Sequence, residues 1–278
     1  MDERETLRCS IWDPTGNITA LVESAVAVDR QPSVAAALMR RHPEVEQVGF
    51  VRPAAPGGDL AGELRMAGGE FCGNASMCAA ALFRLRGKTE DAPETVWVRV
   101  SGASQPVPVR LRQEGAESFR AAVRMGAPLS VAARAFGFEG LAGSLPLVEM
   151  EGISHLLVEP GSPFRALLRD REAAGRAVRA WCAGLGAACL GLLFLEGDAP
   201  AYRLTPLVHV PGSGTVFWES ACASGSAAVG MALAARTGSP VCLELCEPGG
   251  TLRVESEPGG ETWLCGRTRL LARYGAAD

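Results

Sequence analysis

The chain has 278 residues, 47% of them hydrophobic, with a formal net charge of -4 and a pI of about 5.6. That is enough apolar material for one large or two smaller cores, and the lack of any basic run argues against nucleic acid as a partner. The charged start "MDERETLRCS" has no signal-peptide core, and the most apolar stretch, "ACLGLLFLEG", falls short of the about 20 residues a bilayer needs; a cytoplasmic protein with no membrane partner is expected.

In chain order, "ITALVES" predicts a strand and "SVAAALMRRH" a helix with a serine cap and an apolar stripe. "QVGFVRP" predicts the next strand. A short extended segment leads to Cys72, and "GNASMCAAALFRLRG" predicts a helix stopped by Gly87. Strands follow over "TVWVRVS", "VPVRLRQ" and "SFRAAVRM". Residues 126–145, "GAPLSVAARAFGFEGLAGSLP" with its neighbour, lose strand character and suggest a boundary. "HLLVEP", the amphipathic helix "REAAGRAVRAWCAGLG", "GLLFLEG", "LVHVPG" and "TVFWES" come next. "SGSAAVGMALAARTG" is a helix stopped by Gly238, and "VCLELCE", "TLRVESE" and "TWLCGRT" are strands. The glycine pairs in "APGGDL", "CEPGGTL" and "SEPGGETW" read as hairpin turns, not phosphate loops.

The two halves repeat. Residues 16–23 read "GNITALVE" and residues 152–159 read "GISHLLVE". Each is followed by a helix, a strand, then a glutamate, a cysteine, small residues and an alanine-rich helix ending in glycine. The two cysteines, Cys72 and Cys222, are 150 residues apart. The pattern predicts two similar αβ lobes related by a pseudo-twofold, each offering a cysteine at a helix N-terminus. The first lobe is expected over 1–128, with 267–278 returning to it as an extra strand, and the second over 129–266.

Nine cysteines without an export signal argue for free thiols rather than a disulfide framework. Cys78, Cys182, Cys189, Cys242 and Cys265 read as small core residues. No CxxC pair occurs and the three histidines are scattered, so no metal site is expected. Lys88 is the only lysine among 27 basic residues and reads as an exposed turn. A pyridoxal phosphate enzyme needs a buried Schiff-base lysine, so no cofactor is expected.

Two thiols at helix ends suggest one chemistry. A helix N-terminus favours the thiolate and offers N–H groups to an anion. A thiolate on one face of an α-carbon removes its proton, and a thiol on the other face returns one, which inverts the centre. Two helix ends together could grip the α-carboxylate and stabilise charge as it builds up there.

"CGNA" and "CASGSAA" resemble the two catalytic-cysteine signatures of the diaminopimelate epimerase family, whose members need no cofactor. "DPTGNITALV", "EQVGFV" and "GISH" resemble further segments of that family, so the resemblance spans nearly the whole chain. It implies an α+β fold of two similar lobes, each a strongly curved, mostly antiparallel sheet around a central helix. It implies Cys72 and Cys222 as the acid/base pair. Gly73, Asn74, Ala223, Ser224 and Gly225 would bind the carboxylate of an amino-acid substrate, and Asn17 and Gln47 match substrate-contacting positions. Ala223 stands where most relatives have glycine. Met66 and Ile153 stand where asparagines hold the distal group of diaminopimelate, which disfavours that substrate.

"GGEFCGNA" and "WES.C" look most like the histidine racemases of this superfamily, which make D-histidine for opine-type metallophores such as staphylopine. On that reading Glu46 partners an imidazole, although a solvent-facing strand position suits it equally. Asn17 and Gln47 also suit ordinary turn and strand-end positions. Glu70 and Glu219 could orient the thiols, raise their pKa, or cap the helices. His155 lines the site or is structural. Three alternatives remain: a racemase of another amino acid, an inactive amino-acid-binding relative, and an isomerase that moves a proton within one substrate, though the last generally relies on a carboxylate. A homodimer is one assembly open to the chain.

Overall fold

Alternating buried and exposed side chains, the pattern of a sheet with one face on a core, run through residues 95–100, 118–126, 241–247 and 250–256, whereas residues 9–12, 19–22, 155–158 and 190–195 are buried without a break. The computed structural model describes residues 7–55, 57–87 and 94–275. The turn expected at Lys88 lies outside the described residues, as do the first six residues, residue 56 of the "APGGDL" turn and the last three of 267–278. The chain divides into two compact units, Met1–Arg124 with Cys265–Asp278, and Met125–Leu264.

The first unit contains β1 (Cys9–Asp13), β2 (Thr19–Val22), α1 (Gln31–Arg41), β3 (Gln47–Pro53), β4 (Leu60–Met66), α2 (Gly73–Gly87), β5 (Thr95–Val100), β6 (Val107–Gly115) and β7 (Ser118–Gly126). The second contains β8 (Ser130–Phe138), β9 (Leu141–Met150), β10 (Ile153–Val158), α3 (Arg171–Leu185), β11 (Leu190–Asp198), β12 (Ala201–Val210), β13 (Thr215–Trp218), α4 (Ala223–Thr237), β14 (Val241–Glu247) and β15 (Gly250–Ser256). β16 (Thr262–Tyr274) begins in the second unit and ends in the first.

In the first unit the strand order is β1-β2-β3-β4-β5-β6-β7-β16, and β16 also pairs antiparallel with β1. The sheet therefore closes into a barrel. Two pairs are parallel, β2–β3 and β4–β5, and each is bridged by a helix, since parallel neighbours need a crossover. α1 is one-sided, burying Ala35 and Leu38 in a cluster with Val48 and Phe50. α2 is buried from Gly73 to Phe83 and packs on β2, β4, β5 and β6. Its alanine-rich composition follows, because a helix enclosed on all sides has no polar face.

The second unit repeats this scheme. Its order is β15-β14-β12-β11-β10-β9-β8, with β13 also on β12. The parallel pairs are β10–β11 and β12–β14, bridged by α3 and α4. α3 lies on one face of the sheet, where Val178 and Trp181 share a cluster with Leu192, Phe194 and Leu207. α4 lies on the other face, nearly all of it buried from Ala223 to Ala234, against β9, β10, β14 and β15.

Three local expectations change. Residues 126–145 do not lose strand character: β8 and β9 pair from Ser130↔Glu149 to Phe138↔Leu141. Small, exposed side chains on β8 hide its alternation, and the turn sits at Glu139 and Gly140, both with positive φ. Ser33 does not cap α1. The helix begins at Gln31 with Pro32 in its first turn, where proline is favoured, and the Ser33 hydroxyl donates to the Arg30 carbonyl. Strands β1 and β12 extend or add to the expected set. Among the described residues no helix is long and apolar enough to cross a membrane.

All nine cysteines are free thiols. Cys78 and Cys182 are buried as expected, and burial pushes both thiols up. Cys189 and Cys265 are half-buried. Cys242 is exposed, against expectation, because Leu243, Leu245 and Glu247 take the inward positions of β14 and leave Cys242 and Cys246 outward.

Candidate active site

Parallel pairing of β2 and β3 sets Thr19 opposite Gln47, and that register builds a polar chain up to the first thiol. The Cys72 thiol donates to Gln47 Oε1 at 3.0 Å. Gln47 Nε2 donates to Thr19 Oγ1 at 2.8 Å, and that hydroxyl donates to the Asn17 carbonyl at 3.0 Å. Asn17 Nδ2 donates to Glu46 Oε2 at 2.7 Å. Asn17, Glu46, Gln47 and Cys72 are thus brought together. Glu46 is half-buried in contact with Asn17 rather than freely solvated.

The turn that carries Cys72 caps α2. Ala75 N–H donates to Cys72 Sγ at 3.4 Å, and Ser76 Oγ donates back to the Cys72 carbonyl at 2.7 Å. From the end of β5, Ser101 Oγ donates to the Glu70 carbonyl at 2.8 Å and accepts from Met66 N–H. Gly73 and Asn74 are buried in the first turn of α2. Glu70 itself is exposed, its carboxylate over Gly68. Met66 is completely buried.

The second thiol caps α4 in the same way: Gly225 N–H donates to Cys222 Sγ at 3.3 Å. The N–H of Gly225, expected for the substrate carboxylate, is therefore turned to the thiol. Gly225 must be small, because a Cβ there would stand 2.8 Å from Leu193 Cδ2 and 3.1 Å from Cys222 Sγ. Ser224 Oγ is 3.6 Å from the sulphur, and Ala223 is buried beside it. Cys222 N–H donates to Glu247 Oε2 at 2.7 Å, and Ser226 Oγ donates to Glu247 Oε1 at 2.5 Å.

The electrostatics of this turn reverse one expectation. A helix N-terminus favours a thiolate, yet the Cys222 thiol is pushed well above the ordinary thiol range. Burial is the main cause, and the charges of Glu219 and Glu247 add to it, while Ser224 opposes. Glu247 is itself pushed up to about 8 by burial, against its hydrogen bonds from Ser226 and Cys222 N–H. Of the readings open for Glu219, raising the thiol is the one its charge performs.

His155 stands apart. It is completely buried, and neither ring nitrogen has a hydrogen-bond partner. Its ring lies across Gly191, where a Cβ would come 2.1 Å from Nδ1. Burial lowers its pKa to about 3, so it is neutral. No hydrogen bond ties it to the Cys222 turn.

Sequence reasoning passed over Thr19, Ser76, Ser226 and Glu247. Ser76 and Ser226 each stand four residues after a cysteine, a match the repeat alignment contains. Glu247 follows Leu243 and Leu245 on the inward face of one strand, and an acid at an inward position is a signal in itself.

Over residues 8–262 the chain matches the family described as histidine racemase CntK N-terminal domain. It belongs to that family. A histidine racemase of Fusobacterium nucleatum subsp. nucleatum (strain ATCC 25586) is 28% identical over 225 residues, 78% of this chain and 77% of the relative. A histidine racemase of Staphylococcus aureus (strain Mu50) is 25% identical over 240 residues, 82% of this chain and 80% of the relative. The crystal structure of a hydroxyproline epimerase from Agrobacterium vitis, with bound trans-4-hydroxy-L-proline, shares the fold at a TM-score of 0.64. It has 14% identity and covers 98% of this chain and 93% of its own. The protein is an isomerase, an amino-acid racemase of the kind that works without pyridoxal phosphate.

Proposed function

We propose that this racemase inverts the α-carbon of histidine with Cys72 and Cys222 as its two acid/base groups. The observation that carries the reading is the repeated cap: in each unit a cysteine thiol accepts the N–H three residues on, at the start of a buried helix. The mechanism requires the two thiols to address opposite faces of one α-carbon. One sulphur, as thiolate, takes the α-proton and becomes a thiol. The electron pair left on carbon delocalises into the α-carboxylate, which the N–H groups of the two helix starts stabilise as its charge grows. The other thiol gives its proton to the opposite face and is left as thiolate. The reverse reaction exchanges the roles.

Two features support histidine as the substrate. Glu46 is held by Asn17 in the polar chain that leads to Cys72, and its carboxylate suits an imidazole N–H. Met66 and Ile153 supply no hydrogen bond to the distal amine and carboxylate of diaminopimelate. By the same resemblance, the D-histidine produced would serve an opine-type metallophore.

The test is proton NMR in D2O under reducing conditions, with each common L-amino acid and meso-diaminopimelate. Loss of the α-proton signal with L-histidine, and D-histidine on chiral chromatography, is the expected result. Washout with another amino acid and none with histidine overturns the substrate. Racemisation that survives in a Cys72→Ala or Cys222→Ala variant, read as inverted product by chiral chromatography, overturns the mechanism, whereas exchange with retention by the one remaining thiol does not. Glu46→Gln should raise KM for histidine more than it lowers kcat.

A further inference from the structure

The second thiol turn is fastened by a buried carboxyl. Glu247, the last residue of β14, is only 4% exposed. One of its oxygens accepts from the Cys222 N–H and the other bonds the Ser226 hydroxyl. The next residues bind the same turn, through Gly249 N–H to the Ser220 carbonyl at 2.7 Å. In the first unit, neutral hydroxyls bond the cysteine turn, Ser101 on the Glu70 carbonyl and Ser76 on the Cys72 carbonyl. A buried carboxyl is costly where a serine would serve as anchor.

We propose that Glu247 is a positioning residue for Cys222, clamping the thiol-bearing turn through two hydrogen bonds and placing an ionisable carboxyl, rather than a neutral anchor, behind the thiol. The proposal rests on the reading of Cys222 as an acid/base group. The ionisable groups facing this thiol are Glu219, from the link between β13 and α4, and Glu247, from β14. Ser224 and the Gly225 N–H face it from α4. Glu247, at about 8, lies below Cys222, so the carboxyl gives up its proton first as pH rises. Its charge then holds the proton on the sulphur, since like charges so close resist joint ionisation. Cys222 is thereby kept as the thiol, the form that donates.

The test is the rate of iodoacetamide alkylation at Cys222 and Cys72, read by peptide mass spectrometry from about pH 6 to about pH 10, on the full-length substrate-free protein, with the displacement of each rising pH–rate limb along the pH axis read as the shift of its midpoint. In Glu247→Gln the amide oxygen can still accept from the Cys222 N–H and its NH2 can donate to the Ser226 hydroxyl, which turns from donor to acceptor, while the charge is lost. The Cys222 midpoint is expected to fall by about one pH unit, with that of Cys72 unmoved. An unmoved Cys222 midpoint, or an equal shift at both cysteines, overturns the proposal. Ser226→Ala removes one support of the ionised carboxyl and should move Cys222 the same way by less. Where Glu247→Gln does not fold, an unmoved midpoint in Ser226→Ala overturns it instead. Histidine α-proton exchange on the same wild-type sample separates the two readings. A failure there removes the racemase mechanism, while the alkylation shift still decides the role of Glu247.

Discussion

The two thiol turns share a plan and differ in charge. Each cysteine caps a buried helix, and each is followed four residues later by a serine. Around Cys72 the hydrogen bonds described run to neutral groups, the Gln47 amide and, about its turn, the hydroxyls of Thr19, Ser76 and Ser101. Around Cys222 stand two carboxyl groups, Glu247 buried and Glu219 half-buried. A repeated framework therefore does not give equivalent sulphurs. Placement comes from the fold, whereas the readiness of each thiol to ionise comes from a few side chains that the repeat does not share.

The largest expected effect removes either member of the pair. Cys72→Ala and Cys222→Ala should each lower racemisation at least about 1000-fold, the scale of a lost acid/base group, while leaving the circular dichroism spectrum unchanged; chiral chromatography reads the loss. Next comes acid stability. His155 has its folded pKa depressed to about 3, so the unfolded chain takes up its proton first as pH falls below about 6.5. Stability from this group is intact above that pH and is lost on the way down to about 3. Lowering the pH from about 7 to about 4.5 should cost the wild type roughly 2.5 kcal/mol more than it costs His155→Leu, measured by urea unfolding. Glu247 runs in the opposite direction. Its folded pKa is raised, so its contribution is complete below about 4.5 and is lost as pH rises through about 8; a Glu247→Gln profile separates the two.

Smaller changes probe how far the turns match. Ala75 and Gly225 hold the same place after their cysteines, but only the second turn lacks room for a methyl group. Gly225→Ala should destabilise by about 1–3 kcal/mol, the usual cost of overpacking, in a thermal melt. Gln47→Glu would give Cys72 a carboxylate neighbour of the kind Cys222 has, and should raise its alkylation midpoint by about one pH unit. At the other extreme, Cys242→Ser on the outward face of β14 should change stability by less than about 0.5 kcal/mol.

Much of this was legible in the chain itself. The alanine-rich helices stood out by their composition and glycine stops, and their enclosure follows because a helix without a polar face has to be buried. Strands showed themselves in two ways, "VCLELCE" by alternation and "QVGFVRP" as a short apolar run ended by proline. β8 did not, since its small exposed residues carry no contrast, and the cap of α1 was misplaced because Pro32 overrode Ser33. In the site, the cysteines and the Asn17, Glu46 and Gln47 group could be named from motifs. The hydrogen bonds among them could not, because they depend on the register of β2 against β3. Glu247 was out of reach of any motif: it lies 25 residues beyond Cys222 and meets it only through the placement of β14 beside α4.

β16 bears on how the protein is made. A ribosome delivers β1 to β7 first, then the whole second unit, and only afterwards the residues of β16 that pair with β1. At about 5–20 residues per second, the first barrel waits with two open edges for roughly 10–30 s. Nascent chains stalled just before residue 265 should accordingly be the most chaperone-dependent form of the protein, and removing residues 265–275 should harm the first unit, although those residues are distant from it in sequence.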